Sequence, residues 1–481
     1  MEKLYFINQN TALILVLLSS LLFAVIGILY AKKYRGYSNY LTAGRKIGTL
    51  SLTSSLVASA LGAWILFGPA SAATWGGIGA VIGYSLGTAF PMIALIYFGK
   101  KIRKTFPSGI TFTQFIFHKI GKNLFKFIIL LSIFYMFIFL CAEVTAVSML
   151  INYISGVPLW TTAVLVIVAT LIYTLYGGLR ASILTDNFQF LIVIILLFVC
   201  IYNIFGTNFI SYKSVANNSG DLLNVKYITN YTAGLTFFIA VAATNLFHQG
   251  NWQRVFAAKN NEVLTRSLFL SFIVIVPIVF FMGASGIFAI SIDKTINPDL
   301  AFFSILLNNN KEFLSVVIII LAISLTVSTI DTLVNAISSI VIVDGKKIYS
   351  KLNQSNILKL SKFFIVILSV ISLLIASKGY SILYLFLLAD LLCCAAVFTV
   401  FYGFYQKKFK EKNAMLSILL GLFLGLLLFP SQDFSKSILV GILVPFDLFP
   451  QIISSFLLFW SFLIATLVPA IVIIGHDSFK R

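Results

Sequence analysis

Apolar runs of about twenty residues follow one another through the whole chain, separated by short polar segments, and that alternation sets the class. A helix needs roughly 20 apolar residues to cross about 30 Å of hydrocarbon. Segments near 8–30, 51–72, 77–99, 127–152, 158–176, 184–206, 233–253, 267–291, 312–343, 363–377, 380–405, 414–429 and 453–475 have that character. The expectation is an all-α polytopic membrane protein of about thirteen transmembrane helices. The longest connections, 100–126, 207–232 and 292–311, have room for a loop or a short surface helix. The chain therefore reads as one membrane domain.

Composition agrees: 60% of the 481 residues are hydrophobic, 10% are charged, and Phe occurs 47 times. The net charge of +19 has a topological cause. With these spans, 27 of the 34 Lys and Arg fall on one side, in 31–46, 100–126, 177–183, 254–266, 344–362, 406–412 and 476–481. Lys3, Lys213, Lys226, Lys294, Lys311, Lys378 and Lys436 fall on the other. Cationic loops mark the cytoplasmic face, so the N-terminus is expected outside and the C-terminus inside, and the charge argues for no nucleic-acid partner. The run 11–30 lacks a basic leading region and is followed, not preceded, by Lys-Lys-Tyr-Arg; it is read as a span rather than a signal peptide. Cys141, Cys200, Cys393 and Cys394 lie inside spans and offer no metal-site spacing. The wealth of Phe, Ile, Lys and Asn suggests an AT-rich bacterial genome, hence a bacterial inner membrane.

Two spans are interrupted. The second, 51–72, carries Gly62, Gly68 and Pro69 after a run of small residues; the seventh carries Thr244, Asn245, His248, Gly250 and Asn251. They cross in opposite directions, and each begins one half of a five-plus-five inverted repeat, 51–206 and 233–405, flanked by an extra helix and loop (1–50) and C-terminal helices (406–481). Discontinuous helices at matching places in inverted halves point to a transporter's central site. The unwound carbonyls then hold a cation, while the half-helix ends face a solute. The alternative is that Gly and Pro only kink or pack these helices.

The ninth span reads Ser-Leu-Thr-Val-Ser-Thr-Ile-Asp-Thr-Leu-Val-Asn-Ala-Ile-Ser-Ser at 324–339. Ser324, Ser328, Asp331, Asn335 and Ser338 share one helical face. An aspartate at mid-membrane costs about 2.5–3.5 kcal/mol on insertion scales, so Asp331 should face a partner or a watery cavity. Hydroxyls and carbonyls are neutral oxygen ligands suited to a hard cation; the competing reading has them bonding within their own helix and between spans.

Four stretches, Ala-Gly-Arg-Lys-Ile-Gly-Thr-Leu-Ser-Leu-Thr-Ser-Ser at 43–55, Tyr-Gly-Gly-Leu-Arg-Ala-Ser-Ile-Leu-Thr-Asp-Asn-Phe-Gln-Phe at 176–190, Gln-Arg-Val-Phe at 253–256 and Ser-Thr-Ile-Asp at 328–331, resemble the sodium:solute symporter family. That family carries proline, sugars, sialic acid, pantothenate, iodide or urea on an inverted-repeat, amino-acid-transporter-like fold. The resemblance implies a sodium site built from the carbonyls of Ala58, Leu61 and Leu325 and the hydroxyls of Ser328 and Thr329. It also implies a possible second sodium at Asp186, Asp331 and Thr332, with Ser328 shared. Asp186 has an alternative partner in Arg180 at the cytoplasmic face. Ala60 stands where proline carriers have an aspartate, and Thr244 where sugar carriers have an aromatic gate. His-Gln-Gly-Asn-Trp-Gln-Arg at 248–254 looks closer to urea-type permeases.

For the solute, the candidates by position and polarity are Trp64, Glu143, Thr244, Asn245, His248 and Gln249. The cavity is expected between the broken spans and the fourth and eleventh, which contribute Glu143 and Asp390; Glu143 would bind an amine or urea N–H, move a proton, or make a buried interhelical bond, and Asp390 carries the last alternative too. Trp64 either closes the pocket or anchors lipid. The expectation is a sodium-coupled symporter importing a small polar organic solute, an amino acid such as proline favoured, by alternating access. Proton coupling through Glu143, Asp331 or Asp390 is the runner-up. A channel lacks a use for the paired breaks. A family-like membrane sensor is expected to carry an appended signalling domain, and an enzyme would need a catalytic cluster. No organic cofactor and no obligatory protein partner is expected beyond sodium, solute and lipid.

Overall fold

The computed structural model describes residues 5–206, 211–308, 311–349, 353–406, 410–443 and 449–478, which are helical with no strand among them. The long helices are α1 (Gln9–Lys33), α2 (Thr49–Ala60), α3 (Gly68–Thr105), α4 (Lys122–Ser155), α5 (Leu159–Ile201), α6 (Ile228–Phe247), α7 (Gln249–Ala257), α8 (Asn261–Ile292), α9 (Lys311–Ser339), α10 (Gln354–Ala376), α11 (Ile382–Gly403), α12 (Glu411–Leu428) and α13 (Leu457–Ser478). Ten helices among the described residues are long and apolar enough to cross a membrane. Two of these, α3 and α5, leave helical geometry at one glycine each, Gly77 (φ 51°, ψ −148°) and Gly178 (φ 60°, ψ −157°). Only glycine adopts such angles readily, so the chain turns there without a loop. Dividing α5 at Gly178, joining α2 to the first turns of α3, and joining α6 to α7 gives the thirteen expected passes.

The connections are short. They hold the surface helices Phe112–Lys119, Tyr212–Asn218 and Ala301–Leu306. Lys3, Lys351, Lys407, Lys408, Lys480 and Arg481, counted above for orientation, lie outside the described residues. Arg254 also entered that count, as a loop cation. It instead lies on α7, fully buried, because a carboxylate across the interior needs it.

The packing has the pseudo-symmetry of an inverted repeat. Helix α3 packs on α6 as α8 packs on α2, α4 on α11 as α9 on α5, and α3 meets α8 directly. The α3–α6 contact is set by glycine. A Cβ on Gly79 would lie 1.7 Å from the Asn230 carbonyl oxygen, and one on Gly83 2.2 Å from that of Gly234, so the backbones touch. Small residues are what allow helices to approach this closely in a membrane. At the centre lies α9, whose residues from Val317 to Ser339 are nearly all buried. Its polar face is thus turned into the protein, as a membrane-centre aspartate requires.

Candidate functional site

The first break lies where α2 stops at Ala60. Leu61 (φ −97°, ψ 84°) and Gly62 (φ −81°, ψ −176°) are extended before a short 3-10 turn, Ala63–Leu66. Ending a helix strands its last carbonyls and the N–H groups of the element that follows; here the Ala60 carbonyl accepts the Trp64 indole N–H at 3.1 Å. Glu143, from α4, meets the second need: its Oε2 accepts the Ala63 N–H at 2.9 Å. A Cβ on Gly62 would lie 2.1 Å from Glu143 Oε1 and 2.8 Å from Thr329 Oγ1, so only glycine fits where α2, α4 and α9 converge. Thr329 Oγ1 donates to the Leu325 carbonyl at 3.1 Å. The break of α2 and the Leu325–Thr329 turn therefore face one another.

Ser328, one residue earlier, points elsewhere. Its hydroxyl donates to Asp186 Oδ1 at 2.6 Å, while Asp186 Oδ2 accepts from Ser55 at 2.5 Å and from Arg254 Nη2 at 2.9 Å. Arg254 also donates to Ser55, to Thr332 Oγ1 and to the Gly250 carbonyl. Both charged side chains are fully buried. The cluster joins Asp186, Ser328 and Thr332 as expected, but around a guanidinium. The alternative partner, Arg180, instead donates to the Ala43 carbonyl and stacks over Tyr34. Asp331 joins the edge of this cluster by accepting from Thr332 Oγ1 at 3.4 Å, and its shorter bonds come from Tyr173 OH (2.6 Å) and Ser182 Oγ (2.8 Å).

Beside the α2 break is a small cavity of about 30 Å³, lined among others by Ala60, Trp64, Thr244, Asn245, His248 and Asp390. That is room for about one water molecule. Trp64 stacks on Tyr84 at 5.8 Å, and Phe139 meets Phe386 edge to face at 4.7 Å, giving aromatic walls. Asp390 accepts from Thr244 at 2.6 Å and has no ion-pair partner among the described residues. His248 Nδ1 accepts the Gly250 N–H, which leaves Nε2 as its donor. Four of the six solute candidates, Trp64, Thr244, Asn245 and His248, thus share one cavity. Glu143 stands behind the break.

Gln249 is turned away from this cavity, toward the helix Phe112–Lys119. Its Oε1 accepts the Phe112 N–H at 3.0 Å and its Nε2 donates to Ser339 at 3.2 Å. Nearby, Asp344 accepts from Thr111 (3.0 Å) and Thr113, so the surface helix Phe112–Lys119 is clamped to the ends of α7 and α9. Arg103 donates to the carbonyls of Val255 and Ala258, Arg45 to that of Gly109, and Ile47 pairs with Ala258. On the opposite side, a cavity of about 550 Å³ is lined by Ser71, Trp75, Asp299, Ser381 and Asp433 among others. Asp299 accepts from Ser71 at 3.0 Å and Ser381 at 3.4 Å. Tyr84 and Phe237, stacked at 4.5 Å, and Phe237 against Trp75 at 5.6 Å form a ladder from the inner cavity to the outer one.

The model of the sodium:solute symporter family matches residues 40–421. The chain belongs to that family. A spermidine transporter of Candida albicans is 26% identical over 407 residues, 83% of this chain and 77% of its own. A urea active transporter of Saccharomyces cerevisiae is 23% identical over 189 residues, 37% of this chain and 24% of its own. Among solved structures, a sodium-coupled sialic acid symporter in a substrate-bound outward-open state aligns over 97% of this chain and 98% of that one, with TM-score 0.74 at 16% identity. A nucleobase-cation-symport-1 family transporter, closed with bromovinylhydantoin bound, aligns over 92% and 96% with TM-score 0.56 at 15% identity. These two establish the fold shared with the symporter family.

Within that symporter fold, sequence reasoning missed Arg254 as the partner of Asp186, and it brought Asp390 to the cavity wall while favouring a buried interhelical bond for it. The signal for Asp390 was an aspartate deep in apolar sequence, which demands a partner or a cavity; Arg254, at the polar end of its span, carried none. Tyr84, Phe139 and Phe386 gave none, since aromatic residues occur throughout every span.

Proposed function

We propose that the protein is a sodium-coupled symporter that imports a small polar organic solute bearing N–H donors by alternating access. The observation that carries the solute class is Asp390: a buried carboxylate with one hydroxyl partner, facing an aromatic-walled cavity whose lining contains no Lys or Arg. An ammonium or N–H group satisfies such a carboxylate, and the aromatic faces favour a cation over them. Proline and other amino acids carry such a group, as do the solutes for which the two fungal relatives are named, spermidine and urea.

Sodium would be held by the carbonyls of Ala58, Leu61 and Leu325 and the hydroxyls of Ser328 and Thr329, a donor set suited to a hard monovalent ion. Thr329 already lies against the α2 break; Ser328 would divide its hydroxyl between the ion and Asp186. Joining α2 to α9 stabilises the arrangement that also shapes the solute cavity. Each ligand then raises the other's affinity by the same factor. The two repeats, 51–206 and 233–405, rock about this region. The conformation described is closed: the inner cavity holds no solute-sized space, the aromatic ladder separates it from the outer cavity, and the Phe112–Lys119 helix covers the cytoplasmic side. We place the N-terminus outside and the C-terminus in the cytoplasm of a bacterial inner membrane, on the distribution of basic residues and the composition.

One observation favours proton coupling as a second reading: Asp331 is buried among hydroxyls with no cation of its own. The test is uptake of labelled proline, other amino acids, spermidine, urea and sugars into proteoliposomes under inward sodium or proton gradients. Sodium-dependent uptake that collapses in Ser328→Ala and Thr329→Ala is the expected result. Uptake driven by protons alone would overturn sodium coupling.

A further inference from the structure

We infer that the Glu143 carboxylate is the counter-charge of the sodium site, an inference that rests on sodium being the coupling ion. Three observations carry it. Glu143 is fully buried, and its two oxygens differ: Oε2 accepts the Ala63 N–H, whereas Oε1 has no hydrogen-bond partner. Oε1 and Thr329 Oγ1 both lie within 2.8 Å of a single point, the position a Gly62 Cβ would take. The free oxygen therefore sits at the junction of the α2 break and α9. Finally, the other carboxylate in contact with the sodium ligands, Asp186, is already matched by Arg254 at 2.9 Å.

The charge argument decides the role. The five ligands assigned to sodium are three carbonyls and two hydroxyls, all neutral, so the ion would bring an unbalanced positive charge into a buried site. Such a charge is costly unless paired. Glu143 supplies one negative charge there, and with sodium bound the pair is neutral. Closing the break needs only one carboxylate oxygen, since Oε2 alone takes the Ala63 N–H. A glutamine would do that equally well. Glu143 does not line the inner cavity, so a solute contact is the weaker use of its free oxygen.

Sodium binding to purified protein, measured without solute by radiolabelled sodium and by the sodium-induced rise in melting temperature, separates these roles. Uptake in proteoliposomes gives the sodium K0.5 and the solute KM in parallel. Removing a unit charge close to the ion should weaken sodium binding roughly a hundredfold. Glu143→Gln should therefore lose most of the sodium-induced rise and move the sodium K0.5 by at least tenfold. The solute KM at saturating sodium should move by less than about threefold. Glu143→Asp, which keeps the charge, should retain a sodium response if Glu143→Gln proves too unstable to assay. Sodium affinity within twofold of the parent in Glu143→Gln would overturn the inference and leave only a capping role. A changed solute KM with unchanged sodium binding would overturn it in favour of solute contact. Parent protein that binds no sodium would remove the sodium reading itself.

Discussion

Arg254→Met is the substitution whose consequence the structure fixes most closely. Arg254 and Asp186 form a buried pair at 2.9 Å with no exposure of either side chain, and the guanidinium also bonds Ser55, Thr332 and the Gly250 carbonyl. Methionine fills much of the same volume but leaves Asp186 charged and buried, with only the hydroxyls of Ser55 and Ser328 beside it. Removing one partner of such a pair costs about 3–5 kcal/mol. Asp186→Asn should cost a similar amount by orphaning the arginine. The double variant removes both charges and should recover most of the loss, because a paired buried charge is worth little more than a well-packed neutral pair. The assay is the melting temperature of the monodisperse protein in detergent, with and without sodium. Two outcomes would refute the reasoning: a double variant as unstable as the two single losses added, or an Arg254→Met protein as stable as the parent. Sodium offers a second reading. If it settles on Asp186 once the guanidinium is gone, sodium at a hundred times its Kd should return about 2.7 kcal/mol to Arg254→Met.

Asp390→Asn should raise the KM for an ammonium-bearing solute by tenfold or more in uptake assays, while Thr244→Ala, which removes one hydroxyl donor, should cost about 1–2 kcal/mol of the same binding. Gln249→Ala and Asp344→Asn each remove an acceptor that holds the Phe112–Lys119 helix, so both should shift the protein toward the inward-open form. Faster labelling of Ser339→Cys by a water-soluble thiol reagent would report it; unchanged labelling would mean the helix is held by its apolar contacts alone. At the outer face, burial holds the Asp299 carboxyl above the usual carboxylate range, while hydrogen bonds from Ser431 and Ser435 hold Asp433 below it. As external pH falls, Asp299 therefore protonates first. Burial penalises its charged form, so protonation stabilises the closed mouth and uptake should slow, as pH on that face falls, in a step that Asp299→Asn lacks.

The thirteen passes were legible because the bilayer makes helix length and hydropathy sufficient signals. The breaks were legible for a related reason: an unwound turn must be satisfied internally, so small or polar residues mark the place, Gly62 in the first break and His248, extended between α6 and α7, in the second. The turn at Gly77 between the second and third spans was placed to within a few residues, because an apolar run cannot show where a helix pauses for one residue. Partner choice was the illegible part. Gln249 and His248 are neighbours in sequence, yet one faces the inner cavity and the other the cytoplasmic clamp, because α7 begins between them and turns its side chains onto new neighbours. Arg254 looked like a loop cation for want of any signal that α7 carries it inward to Asp186.

The register of α9 links these places. Ser328 bonds Asp186 on α5, and the next residue, Thr329, meets the break of α2, so one helix touches both the charged cluster and the proposed sodium site. Asp186 in turn is bonded by Ser55 from α2 and Arg254 from α7. Both interrupted passes are therefore tied to α5 at one carboxylate near the middle of the protein, while their ends beside the Phe112–Lys119 helix are held by bonds of another kind: Arg103 and Ile47 on carbonyls, Gln249 on the Phe112 N–H. The first set centres on a fully buried ion pair; the second holds no ion pair and combines the neutral bonds of Gln249 and Ile47, which are buried too, with those of the half-buried Arg103. Breaking the buried ion pair would cost several kcal/mol, whereas a neutral hydrogen bond such as that between Gln249 and Phe112 contributes a net of about 1 kcal/mol. Opening inward by the cheaper route means keeping the Asp186 cluster as a pivot and releasing the cytoplasmic clamp. On that reasoning Gln249→Ala should alter the rate of opening far more than the affinity for sodium.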